Sequence, residues 1–435
     1  KRTKVWCCRR EELPRRDGKV EKGRTVAVVT RNEEESHGRG GDKSGDLTGD
    51  RGQGERHMNK KEIAEIKKQF TQDKCAITRI CGCYVDGEKN KKTELKEAFL
   101  SLPEEEMFKY FNIFRKALSG TLGKNLLNME FPLETEEPGG TQDFLMKLRA
   151  SALKDDILLE EFYDKVIESY YSVENYLILL IHAVYDVPGK AADGAEMFDA
   201  SDEVYEHVLC CICPVTLSKP GLAYDEESNS FRTRVCDRVV DMPDIGFLFP
   251  AFNDRSSDVH GLLYYAAKPE ELRFDFVEPV LGCEVPMSAG GQKETFQTIV
   301  EETLGDGCDY EVVKNIHEKL NEMIEEKKEE PDPVVLDRAE VKRLFEYSGV
   351  EEEKLADFEE KYDAAAGERT CFVATNVANT RQFEVRTPDV VVKVSPERMD
   401  LVQTKVIDGR KCLVIELNDQ VELNGIPVRV AEEEE

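Results

Sequence analysis

The chain has no motif that names a reaction. G-x-G-x-x-G, G-x-S-x-G, H-E-x-x-H and the calcium-loop pattern are all absent, which lowers the nucleotide, hydrolase and metalloprotease classes. Its longest apolar run, Tyr176–Val184, contains His182 and is far short of the roughly 20 residues a membrane span needs. The start is basic but has no apolar segment of the kind a secretory signal requires. Aromatics make up 8%, and Trp6 is the single tryptophan. No repeat recurs at a fixed period.

Acidic charge is abundant. The 435 residues carry a net charge of −29, with 40% hydrophobic and 34% charged residues, a globular composition long enough for two or three domains. Residues 1–57 hold 15 Lys and Arg against 11 Asp and Glu, so the remainder holds 45 against 78, a net −33. That field repels phosphate backbones at long range. Thirteen cysteines without a small disulfide framework fit free thiols in a reducing cytoplasm.

Residues 1–57 are rich in Arg and Gly, and no period of two or 3.6 persists there. Disorder is the expectation. Gly54-Glu55-Arg56 can be encoded by a purine-rich run resembling a bacterial ribosome-binding site. We therefore expect residues 1–57 to be translated upstream sequence and the natural chain to start at Met58.

Beyond Met58 the patterning predicts an α+β fold. Ala76–Val85, Tyr176–Val187 and Val204–Val215 read as strands, and Gly221–Arg232 as a hairpin. Phe247–Phe252 and Val259–Tyr265 read as two strands joined by the polar turn Asn253–Asp258. Together these predict an antiparallel or mixed sheet of at least five strands with helices on one side. Helices are expected after Met58, from Pro103 to Leu118, over Phe144–Leu148 and over Leu158–Tyr171. A helical middle segment is expected over 286–366, with helices at Gln292–Leu304, Tyr310–Lys328, Arg338–Tyr347 and Glu351–Ala364. Asp408-Gly409 and Asn424-Gly425 predict hairpins, so residues 367–435 read as a small β-meander. The sheet domain is placed at 58–285.

The densest group of chemically capable side chains is Asp254, Arg255, Asp258 and His260, beside Asn253. Carboxylates, imidazole and guanidinium at a strand end suit acid–base work or a hard cation. They equally suit a loop whose carboxylates bond local amides. Cys210, Cys211 and Cys213, with Cys81 and Cys83, suggest metal or redox chemistry. In a strand, however, Cys211 and Cys213 point the same way, about 6.5–7 Å apart, whereas zinc gathers its sulfurs from a tight turn. Core filler is the simpler reading, and no metal or cofactor is expected. His182 and His207 interrupt apolar strands and read as buried rings bonded to the backbone. His317 reads as a solvated or boundary residue. Gly120–Asn125, GTLGKN, lacks the spacing and the Ser/Thr of a phosphate loop.

Five runs carry a family resemblance: ITRICGCYVDGEK (Ile77–Lys89), LPEEEMFKYF (Leu102–Phe111), CPVTLSKPGL (Cys213–Leu222), GFLFPAFNDRSSD (Gly246–Asp258) and QKETFQTIVEETLG (Gln292–Gly305). On these runs the chain from Met58 to its end resembles an uncharacterised bacterial family catalogued as domain of unknown function 4317. That family name implies no activity. In order of elements alone, the layout is similar to that of bacterial nucleoid-associated proteins of the 37-kilodalton class, an analogy without a shared motif. The expectation is a soluble cytoplasmic, non-enzymatic interaction protein, nucleoid-associated in kind. Its partner would be a protein or a second copy rather than nucleic acid, with no membrane. The alternative is an enzyme with its site around Asp254, Arg255, Asp258 and His260.

Overall fold

A computed structural model describes residues 57–190, 196–305, 308–417, 421–423 and 425–428. The expectations for residues 1–56 lie outside the described residues. Residues 55–435 form one compact unit by backbone proximity, and the fold below is that of its described part.

Local chemistry sets the first elements. Asn59 and Glu62 form a reciprocal capping box on α1 (Lys60–Lys67), which buries Ile63 and Ile66. Strand β1 (Ile77–Val85) follows, then β2 (Lys91–Ala98). Pro103 precedes α2 (Glu104–Ala117), whose three leading glutamates and trailing Arg115 and Lys116 complement its dipole. A glycine turn leads into β3 (Leu126–Glu130). Helices α3 (Thr141–Ala150) and α4 (Asp156–Ser169) come next, α4 capped by Asp155. Two long strands, β4 (Asn175–Lys190) and β5 (Glu196–Leu217), pair along their length. The excursion β6 (Leu222–Asp225), β7 (Ser230–Thr233) and β8 (Arg238–Val240) returns to β9 (Ile245–Phe249). A small hairpin, β10 (Ala251–Asn253) and β11 (Ser256–Asp258), precedes β12 (Gly261–Ala266). One helical turn, α5 (Phe274–Phe276), closes this part.

The main sheet runs in the order β2-β1-β4-β5-β9-β12-β3, with β8 added beside β5. Every pairing is antiparallel. One rung crosses it as Cys81, Leu180, Cys210, Phe247, Tyr264 and Leu127, facing α3, α4 and the turn after α5. The next rung is Gly82, Leu179, Cys211, Gly246, Tyr265 and Leu126, facing α1 and α2. Helices therefore cover both faces, not one. The near-continuous apolar runs of β4, β5, β9 and β12 require it, since alternate residues on each strand bury on opposite sides. Gly246 is needed where α2 crosses, because a Cβ there would sit 2.6 Å from the Cys210 carbonyl oxygen and 3.4 Å from Ala117 Cβ.

A third cluster is helical. It contains α6 (Ala289–Leu304), α7 (Tyr310–Glu326), α8 (Arg338–Tyr347) and α9 (Phe358–Ala365). Glu351–Ala364, expected as one helix, divides into a short 3-10 turn at Glu352–Leu355 and α9. Strands β13 (Val335–Leu336) and β14 (Phe372–Val373) pair beside these helices, and α10 (Ala374–Val377) follows. Phe296, Phe345, Phe358 and Phe372 pack at its centre.

Three hairpins end the described chain: β15 (Phe383–Arg386) with β16 (Val391–Val394), β17 (Val402–Ile407) with β18 (Arg410–Ile415), and β19 (Val421–Leu423) with β20 (Ile426–Val428). Asp408-Gly409 turns between β17 and β18 as expected, and β19 pairs with β20 on either side of the second dipeptide, whose Asn424 lies outside the described residues. Each pair nevertheless forms its own two-stranded sheet instead of joining a meander. Val402 is the one buried side chain in β15–β18, which leaves little apolar face on which to stack. Among the described residues no helix is long and apolar enough to cross a membrane.

Candidate functional site

Asp254 and Arg255 form the tip of the β10–β11 hairpin, both at positive φ. The tip is fastened to α1. Arg255 donates from Nε and Nη2 to Glu65, at 3.0–3.3 Å, and the Tyr185 hydroxyl donates to the same carboxylate at 2.9 Å. Glu62, 6% exposed, accepts from the amides of Asn59, Asp254 and Arg255, while burial raises its pKa. Asp258 turns inward on its own loop, accepting from Asn253 Nδ2 at 2.6 Å and from the His260 amide at 3.0 Å. His260 leaves the group: its Nδ1 lies 2.6 Å from Glu136, which holds its pKa above the ordinary value. Arg255 and His260 thus engage different carboxylates, Glu65 and Glu136.

The thiols are divided by the sheet. Cys81, Cys83 and Cys210 face the α3–α4 layer, and Cys211 and Cys213 face the α1–α2 layer. Cys210 and Cys213 are spaced as C-x-x-C, but an odd separation along a strand turns them to opposite sides. Burial pushes all five up, Cys83 to about 11, which keeps them protonated. Among the described residues no three His, Cys, Asp or Glu side chains gather as a metal would need.

His182 faces the α3–α4 side, and a bulge in β1 sets Thr78 beside it. Thr78 Oγ1 lies 2.6 Å from His182 Nδ1, and Glu206 lies 2.7 Å from Nε2. Thr78 also donates to the backbone carbonyl of His182 at 3.1 Å. Local bonding therefore satisfies this buried ring. His207 faces the other layer and stacks on Tyr205 at 4.5 Å. Burial lowers its pKa to about 3, outweighing the opposing effect of the Tyr205 backbone.

A cleft of about 1150 Å³ lies between the Gly120–Asn125 turn and the helical cluster. One residue of its lining, Asn376, belongs to a buried polar network. Asn376 Nδ2 donates to the Gly123 carbonyl at 2.8 Å and to Gln292 Oε1 at 3.1 Å. Gln292 Oε1 also accepts from the Val373 amide, and its Nε2 donates to the Met287 carbonyl. Three segments distant in sequence are joined by these bonds. Gly123 must be glycine: its φ is +79°, and a Cβ would sit 2.9 Å from Val373.

That network fixes the Asn376 amide, because both partners of Nδ2 are acceptors. Oδ1 is left without a partner although Asn376 is 7% exposed. Thr375 Oγ1 is likewise buried and unpartnered. Both residues line the cleft, as do Lys124, Lys293, Arg381 and half-buried His317. No carboxylate lies within 4 Å of these three cations among the described residues. Burial and nearby Lys293 lower the pKa of His317, which sits at the boundary, one of the two positions expected for it. The cleft was missed because Lys124 and Asn376 belong to separate segments. The glycine-flanked lysine of GTLGKN was its one visible trace.

No curated protein matches the chain. A family model described as Domain of unknown function (DUF4317) matches residues 58–426, most of its length and all three core clusters, and the chain belongs to that family.

Proposed function

We propose that this is a non-enzymatic binding protein of the cytoplasm whose working site is the cleft over Asn376. The observation that carries the reading is that two residues lining it, Thr375 and Asn376, each carry a buried side-chain oxygen without a partner among the described residues. Burying such a group without a partner costs about 1–3 kcal/mol, and a ligand supplying the missing bonds would recover that cost. The surroundings of the acid–base candidates support binding over turnover. Arg255, His182 and His260 each hold hydrogen bonds that fasten one part of the fold to another, and Asp258 holds its own loop. The described cysteines are free, which suits a reducing compartment. A nucleoid role has no observation in its favour and is not carried forward.

The test is native mass spectrometry of the full chain purified from its host, beside Thr375→Val. Valine keeps the shape and removes the unpartnered hydroxyl, so the variant should be as stable as the parent or more so. We expect a small molecule on the parent and its loss from the variant. Equal retention by both proteins would overturn the reading.

A further inference from the structure

The cleft wall carries a second feature independent of Thr375 and Asn376. Helix α6 opens on Ala289-Gly290-Gly291, with Ser288 as its cap. The Ser288 hydroxyl accepts the Gly291 amide at 3.0 Å. The amides of Ala289 and Gly290 have no partner among the described residues, and both residues line the cleft. Open amides at the start of a sixteen-residue helix favour an anion. Lys293 follows within the next turn, and Lys124 and Arg381 face the same space. Glu384 also lines it, but that carboxylate is paired with Arg386 and Lys393. Glu270 and Glu301 line it as well, so the three cations without carboxylate partners bring the cleft close to neutral within a chain of net charge −29.

We propose that the cleft takes a phosphorylated small molecule. Its phosphoryl oxygens would lie against the open amides of α6 among Lys124, Lys293 and Arg381, and an N–H or O–H of the same molecule would donate to Asn376 Oδ1. This rests on the binding reading above and names its ligand class. Three cations and a helix start suit a group of charge near −2 better than a single carboxylate. Glu270 lies beside Gly290, about 3.8 Å from where a Cβ would stand. It limits the anion's approach and gives the proposal a control of opposite sign.

Calorimetric titration of the full chain with inorganic pyrophosphate, and separately with citrate, tests this. Pyrophosphate should bind saturably. Lys293→Gln and Arg381→Gln, both at exposed positions, should each weaken it about tenfold with unchanged unfolding midpoints. Glu270→Gln should tighten it. Pyrophosphate binding indifferent to all three substitutions, citrate binding as tightly, or no pyrophosphate binding would overturn the phosphoryl assignment. If the host-derived molecule is lost from Thr375→Val but contains no phosphorus, the phosphoryl assignment fails while the cleft reading stands. If nothing is carried and pyrophosphate does not bind, both fail.

Discussion

At position 207 a buried imidazole sits in the α1–α2 layer, its pKa lowered by burial to about 3. Unfolding would return it to an ordinary value near 6.5. Between these values the unfolded chain binds more protons than the native one, so stability rises with pH in that window. His207 therefore contributes nothing to pH dependence above about 6.5, and costs stability as pH falls from there towards 3. At about 1.4 kcal/mol per pH unit, His207→Phe should lessen the loss between pH 6.5 and 4.5 by about 2–3 kcal/mol, read from urea midpoints. An acid limb as steep as the parent's would show that the ring is already protonated in the native state. The sequence predicted a buried ring at 207 from its apolar neighbours, but not the aromatic stack it joins, in which Tyr205 packs on His207 and, in turn, on Phe252.

The β10–β11 hairpin shows how a charged turn becomes an anchor. Its residues were readable as a strand-end loop, but Glu62 and Glu65 lie about 190 residues earlier. No local pattern links α1 to the hairpin. Arg255 and Glu65 are 15% and 20% exposed, so their bidentate pair is largely shielded from solvent. Glu65→Ala and Arg255→Ala should each cost about 1–3 kcal/mol. The double variant should cost little more than either single change, as a double-mutant cycle would show. Fully additive losses would mean the two side chains do not act as a pair. Strand β2 was missed for a related reason. Its sequence KKTELKEA has no apolar alternation, being an edge strand held by its ladder to β1 and by Lys91 and Lys96 pairing with α4. Long apolar strands such as β4 were legible because burial on both faces writes itself into every residue.

At the scale of the molecule, two core layers flank one sheet and a third core is helical, with the cleft where the third meets the α2–β3 turn. The helices and strands could be anticipated from periodicity, but not their division between the two faces of the sheet, since each layer draws on elements far apart in sequence. Nor could the junction of the layers. The bond from Asn376 to Gly123 spans 253 positions, and side chains that meet only after folding leave no spacing to read. Acidic composition also hid the cleft, since averaging over the chain conceals a few local cations. The central claim is that Asn376 Oδ1 and Thr375 Oγ1 are kept open for a ligand. A crystal structure of the full chain, purified from its host without added ligand, tests this most directly. The account predicts density for a molecule within hydrogen-bond distance of both atoms, reaching towards the start of α6. A single ordered water satisfying both atoms, or a ligand bound elsewhere on the chain, would contradict it.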